Sequence, residues 1–256
     1  MDDAQLLRYS RHVLLSELGV DAQERFAAAH ALIIGAGGLG APAAQFLVAA
    51  GVGTVTLCDP DVVDLTNLQR QILYATHDIG RPKVEAAKAR LAAINPEVQV
   101  IAVQRRVDPD TLPDLVRAAD VVLDCSDNFA TRHALNRACF DAGRPLVSGA
   151  AIRFDGQVAV FDPRDPASPC YHCLFGEGEE MEETRCATMG VFAPLVGIIG
   201  ATQAAEALKL IAGIGEPLAG RLLLLDAQSM RWHEVRVPRD PACPVCAPLH
   251  HSVLAQ

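Results

Sequence analysis

The chain has no excess of positive charge. Its 22 lysines and arginines face 31 aspartates and glutamates, a net charge of −9. That balance argues against a general nucleic-acid or anionic-membrane binder, because counterion release needs a basic surface. A local basic pocket remains compatible with it. Cysteine is sparse for a disulfide scaffold, with eight residues in 256. Two long uncharged runs have to be weighed as membrane spans. Residues 31–58 are uncharged but hold six glycines and Pro42, and 187–205 contain Pro194, Gly197, Gly200 and Gln203. Both read as buried core rather than continuous apolar helix. Met1-Asp2-Asp3 opens neither a basic nor an apolar leader segment, so a cytoplasmic protein is expected. Internal repeats and long low-complexity linkers are absent as well.

What is present is 50% hydrophobic, enough for a sizeable core. The periodicity predicts an α/β fold, and one domain over 1–256 is expected. Residues 1–29 read as a charged helical segment. Over 30–150, strands at Ala31–Ile34, Thr54–Asp59, Val98–Val103, Val121–Asp124 and Pro145–Ser148 alternate with helices. Those helices fall at Leu39–Ala50, Arg81–Ile94 and Phe129–Ala142, with a short one before Val121. Such alternation predicts a Rossmann-like, mostly parallel sheet with helices on both faces. Over 151–256 the pattern changes. Ile152–Val160 reads as a hairpin turning at Asp155-Gly156, and Arg221–Asp226 with Arg231–Val237 as a second one. Antiparallel strands are therefore expected to extend the sheet.

Gly35-Ala36-Gly37-Gly38-Leu39-Gly40 fits G-x-G-x-x-G between a strand and a helix, with Asp59 at the end of the next strand. Glycines permit a tight turn and close approach of backbone to phosphate, and the acid suits a ribose hydroxyl. Packing glycines with no ligand would give the same string. A nicotinamide dinucleotide is the default ligand, but Arg70 in Thr66-Asn67-Leu68-Gln69-Arg70-Gln71 and Lys83 favour a triphosphate. A guanidinium grips phosphate oxygens through parallel bonds, and a lysine adds a point charge. Asp127, in Asp124-Cys125-Ser126-Asp127-Asn128 at a strand's carboxyl end, suits a magnesium ion or the N-cap of the following helix.

The cysteines fall unevenly. Cys170-Tyr171-His172-Cys173 and Cys243-Pro244-Val245-Cys246 supply four thiolates, enough for tetrahedral zinc. The 69 residues between the pairs exceed zinc-ribbon spacing. Redox dithiols, or His172 in place of one cysteine, remain alternatives. Cys58, Cys125 and Cys139 read as small buried residues. Cys186 follows a loop with glutamates at 177, 179, 180, 182 and 183, which raise a thiol's pKa rather than activate it. An inert loop cysteine is one reading of it. No Ser/His or His/Asp catalytic arrangement stands out.

Arg8-Tyr9-Ser10-Arg11, the Gly35–Gly40 loop, Asn67–Gln71, Pro82-Lys83, Asp124–Asn128, Ser148-Gly149-Ala150 and the paired C-x-x-C together resemble the MoeB/ThiF/HesA group, bacterial relatives of ubiquitin-activating enzymes. The resemblance runs from about Leu7 to Cys246. It implies an adenylyltransferase that uses ATP and Mg²⁺ to activate the C-terminal glycine carboxylate of a small ubiquitin-like sulfur carrier ending in Gly-Gly. By that resemblance Gly38 lines the phosphates, Asp59 binds ribose, and Asn67, Arg70 and Lys83 hold the triphosphate. Thr66, Leu68, Gln69 and Asn128 complete the expected nucleotide contacts, and Asp127 serves magnesium. Arg11 reaches into a neighbouring subunit's site, which implies a homodimer. Cys170, Cys173, Cys243 and Cys246 hold structural zinc, and Cys186 matches a sulfur-relay position of ThiF-like members. The segments Ser148–Arg153 and Gly190–Pro194 lean toward the molybdopterin synthase small subunit as carrier, with a ThiS-type carrier as the alternative. No rhodanese-like extension follows Cys246, so a separate sulfur-donor protein is expected. More distant alternatives are an NAD-dependent oxidoreductase and a non-catalytic carrier-binding module.

Overall fold

A computed structural model of the chain describes residues 1–108, 110–176 and 189–247. Runs rich in Val, Ile and Leu form one eight-stranded sheet in the order β3-β2-β1-β4-β5-β6-β7-β8. The first five strands in sequence are β1 (His30–Ile34), β2 (Thr54–Cys58), β3 (Gln99–Val103), β4 (Val121–Asp124) and β5 (Leu146–Ile152). All pairings among them are parallel. The others, β6 (Asp155–Phe161), β7 (Arg221–Asp226) and β8 (Arg231–Arg236), add on antiparallel. β1 and β4 are buried almost throughout, as strands covered on both faces must be.

Three short helices precede the sheet: α1 (Asp3–Arg8), α2 (Ser10–Val13) and α3 (Gly19–Ala28). One face carries α4 (Gly40–Ala49), α5 (Lys83–Ile94) and the long α9 (Ala193–Ala212), whose Leu195, Ile199 and Ala207 share a core with Ile33, Leu47 and Leu91. The other carries α6 (Leu112–Ala118), α7 (Phe129–Ala142) and the single-turn α8 (Tyr171–Leu174), packed on Leu32, Val122 and Leu146. Among the described residues α9 alone is long and apolar enough to cross a membrane. It is a core helix, packed on α4, β5 and β6.

Most element ends shift by a residue or so from expectation, and two of the differences have a clear physical reason. The first hairpin does not turn at Asp155-Gly156. Ile152 pairs with Asp155, so the turn is Arg153-Phe154, with Arg153 at φ 52°. Its first arm is β5 itself, which runs on past Ser148. Gly156 has another reason to be glycine: a Cβ there would lie 2.7 Å from Ile199 Cδ1 of α9. Helix α5 starts at Lys83 rather than Arg81. Pro82 has an extended ψ of 131°, and the residue before a proline avoids the helical region. Val62 bridges Pro82, and Val63 donates to Arg81 O at 2.9 Å, so this stretch closes a loop instead.

Candidate active site and metal centre

The carboxyl ends of the parallel strands open into one cleft of about 500 Å³. Its floor is the turn from β1 to α4. Gly40 closes that turn so tightly that a Cβ would sit 1.9 Å from Gly35 O. Gly40→Ala therefore forces the backbone apart at the helix start, at a cost of about 1–3 kcal/mol or more. Urea denaturation of the variant should show a lowered midpoint at unchanged slope. Behind the turn, α4 directs its N-terminus at the cleft, a favourable place for phosphate charge.

Asp59 follows β2 and is buried. It accepts hydrogen bonds from Ala36 N at 2.7 Å and Asp61 N at 2.8 Å, so it fixes the glycine turn. Burial pushes its carboxyl up, opposed by the Lys83 ammonium and those two N–H groups. A carboxylate has about four acceptor sites, so capacity for a ribose hydroxyl remains.

Between Asp59 and Lys83 the chain makes an excursion that returns by backbone pairing. Lys83 N donates to Asp61 O at 2.9 Å, and Gly80 N to Val63 O at 2.8 Å. Tyr74 anchors the excursion, donating to Ala36 O at 2.6 Å. Arg70 and Gln71 project from it into the cleft lining. The Arg70 guanidinium is steadied by Thr66 O at 3.0 Å and Gln69 Oε1 at 3.1 Å. Lys83 is buried and pairs with Asp61 Oδ2 at 2.9 Å.

At the end of β4, Asp124 is fully buried and accepts from Ser126 N at 3.0 Å, Ser126 Oγ at 2.6 Å and Ser148 Oγ at 2.8 Å. Arg132 reaches back to Ser126 O at 2.8 Å and Gly149 O at 3.3 Å. This network sets the loop that presents Asp127 to the cleft. The cap of α7 is Asn128, whose Oδ1 accepts from Thr131 N at 2.9 Å, rather than Asp127. Asp127 is thus left exposed at the cleft, and Asn128 lines it with its carbonyl oxygen already engaged.

Of the residues expected at a nucleotide site, Gly38, Asp59, Arg70, Lys83, Asp127 and Asn128 line this one cleft. Thr66, Asn67, Leu68 and Gln69 are not part of its lining. Thr66 and Gln69 hold Arg70, and Asn67 O accepts from the backbone N–H of Arg70 and Gln71. Arg11 is exposed on α2, also outside the lining. Cys186 and the five glutamates lie outside the described residues. Asp61, Tyr74 and the pair Arg105-Arg106 were not anticipated. Beyond the nucleotide turn the cleft continues along β5 and β6, past Ala150, Ile152, Asp155 and Gln157 to Leu224.

Cys58, Cys125 and Cys139 are buried, and burial pushes the Cys58 thiol up to about 11 and the other two higher. The remaining four described cysteines converge, with all sulfurs within 4.8 Å of one another. Cys170 Sγ lies 3.6 Å from Cys243 Sγ and 3.9 Å from Cys173 Sγ, and Cys173 Sγ lies 3.5 Å from Cys246 Sγ. Four sulfurs at about 2.3 Å around a tetrahedral zinc stand ~3.8 Å apart, so the donor set and spacing fit that ion. Asn136 Nδ2 lies 3.6 Å from Cys170 Sγ and Asp240 N 3.5 Å from Cys173 Sγ, a polar surround of the kind metal thiolates use. His172 is not part of the group.

A parallel sheet with a phosphate turn at its carboxyl edge, extended by antiparallel strands and a four-cysteine cluster, defines a nucleotide-dependent α/β enzyme class. The sequence pattern of the ThiF family matches residues 9–245, and the chain belongs to that family. It is 46% identical over 246 residues to the sulfur carrier protein ThiS adenylyltransferase of Escherichia coli K12, covering 96% of this chain and 97% of that protein. The molybdopterin-synthase adenylyltransferase of the same organism is 45% identical over 249 residues, covering 96% and 98%. Among solved structures, E. coli MccB with ATP superposes with a TM-score of 0.81 at 27% identity, covering 93% of this chain and 74% of that one.

Proposed function

We propose that the protein is an ATP-dependent adenylyltransferase that activates the C-terminal glycine carboxylate of a small ubiquitin-like sulfur carrier. The observation that carries this reading is the continuous cleft. One end holds the glycine turn with Arg70 and Lys83, and the other runs along β5 and β6, where an extended peptide tail would lie. Relatives named for adenylylation of sulfur carriers, and a structural neighbour with ATP, support it.

In this reading a carboxylate oxygen of the carrier attacks the α-phosphorus of ATP. The bond to the bridging oxygen breaks, and pyrophosphate leaves with that electron pair. Two anions must meet, so the protein's work is positioning and neutralisation. Arg70 and Lys83 hold the triphosphate, Gly38 and the α4 N-terminus its neighbouring oxygens, and Asp59 the ribose. Asp127 would hold Mg²⁺, which supplies charge neutralisation at the phosphates. The carrier carboxylate is already ionised at pH 7, so no general base is required. Cys170, Cys173, Cys243 and Cys246 would hold zinc in a structural role. Cytoplasmic residence suits thiols that must stay reduced for metal.

Arg11 would complete the site of a second copy in a homodimer; Leu7 and Leu14 beside it are exposed. A separate protein would donate sulfur, with Cys186 as a candidate relay. The molybdopterin synthase small subunit is the favoured carrier. The 46% identity to a ThiS adenylyltransferase supports a ThiS-type carrier as the second reading. The test is carrier-stimulated ATP–pyrophosphate exchange with both carrier types. Arg70→Ala and Asp127→Ala should each lower exchange at least ~tenfold. Wild-type-like exchange in both variants would sink the assignment.

A further inference from the structure

Arg105 and Arg106 line the cleft, yet neither has a place in the proposed chemistry. They follow β3, the strand beside β2 at the edge of the sheet. The order of strands gives them a meaning. The phosphate turn follows β1, and Asp59, the expected ribose ligand, follows β2. One strand further out, beyond the ribose, is where a nucleoside base must fall. There the loop after β3 is held close. Asp59 N donates to Val103 O at 3.2 Å, and Cys58 Sγ to Arg105 O at 3.3 Å. Among the described residues neither guanidinium has a hydrogen bond or ion pair, although both are exposed on an acidic protein. Val107 and Phe129 supply apolar wall to the same cleft.

We propose that Arg105 and Arg106 form a guanidinium clamp on the face of the adenine base. A guanidinium is planar and weakly hydrated, so it stacks on an aromatic ring where an ammonium does not. Acting on the base, the pair contributes to holding ATP and leaves the α-phosphorus alone. Acting instead as two more phosphate-attracting charges, it would affect any polyphosphate equally. This inference rests on the ATP reading above.

The experiment measures exchange kinetics and the inhibition constants of AMP and of inorganic tripolyphosphate, which has no base. For the R105A/R106A double variant the KM for ATP and the Ki for AMP should rise about tenfold. The kcat should stay within about twofold and the Ki for tripolyphosphate should not move. R105K/R106K keeps the charge without the plane and should behave like the alanine variant. Full rescue by lysine overturns the clamp, as does equal weakening of ATP and tripolyphosphate. An unchanged KM overturns it too. A wild-type protein that binds neither ATP nor tripolyphosphate overturns the adenylylation reading itself.

Discussion

Cys243→Ser should release the zinc proposed for the four cysteines and loosen residues 237–247 from the rest of the fold. The expected result is zinc falling from about one ion per chain to well under half, with stability down by several kcal/mol. Zinc analysis after gel filtration and thermal unfolding in a reducing buffer would measure both. The size follows from what the cluster connects. Cys170 is the N-cap of α8 and Cys173 lies within it, and α8 packs on α7, while Cys243 and Cys246 lie 73 residues further along. Among the described residues few other bonds fasten that segment. Arg239 bonds Pro166 O at 2.7 Å and also Cys246 O. Buried thiols that lose a metal also lose their main electrostatic partner, so the cluster should not persist as a packed apolar unit. Chelator treatment of the unaltered chain should reproduce the loss. Full stability in metal-free protein would refute a structural ion here.

How much of this was legible beforehand depends on how local each signal is. Ala31–Ile34 and Val121–Asp124 announce buried strands by composition, and Gly143, at φ 64°, stops α7 where expected. The glycine turn and Asp59 could be placed because strand, turn and acid lie within one short βαβ stretch. Where tertiary contact decides, sequence alone misleads. Asp155-Gly156 has the chemistry of a hairpin turn, but Gly156 is small because Ile199 lies over it. Asp127 and Asn128 are both good caps, and only the loop path set by Asp124, Ser126 and Ser148 selects Asn128. The run Thr66–Gln69 reads as a row of nucleotide contacts. Folded, Thr66 O and Gln69 Oε1 of that run also brace the Arg70 guanidinium. Tyr74 and the Arg105-Arg106 pair have no local signature, since their roles arise from strands adjacent in the sheet but distant in the chain. The four cysteines could be grouped as one zinc set by their number and the family resemblance, despite a spacing unlike a zinc ribbon. The structure brings the two C-x-x-C pairs together across 69 intervening residues.

Lys83→Ala should cost the largest share of activity of any single change in the cleft, about 10²–10³ in kcat for pyrophosphate exchange. The ammonium sits at the first turn of α5, its side chain only 6% exposed, so its charge acts across little water. Arg70 is half-buried and better screened, and its loss should weigh less. The ion pair makes the prediction sharper, because its two ends are unequal. Asp61 is 59% exposed and Lys83 is not. Removing Lys83 leaves Asp61 to water, but it also takes from buried Asp59 the cation that opposes its burial, so stability should fall by about 1–3 kcal/mol. Removing the carboxylate with Asp61→Asn leaves the ammonium still facing Asp59, so stability should fall less, by about 1 kcal/mol. Exchange should respond in the same order, with Asp61→Asn retaining far more activity than Lys83→Ala, because the cation proposed to meet the triphosphate is still present. Parallel chemical denaturation and exchange assays on the two variants would read both orders. Equal activity losses would mean that the pair works only as a structural unit.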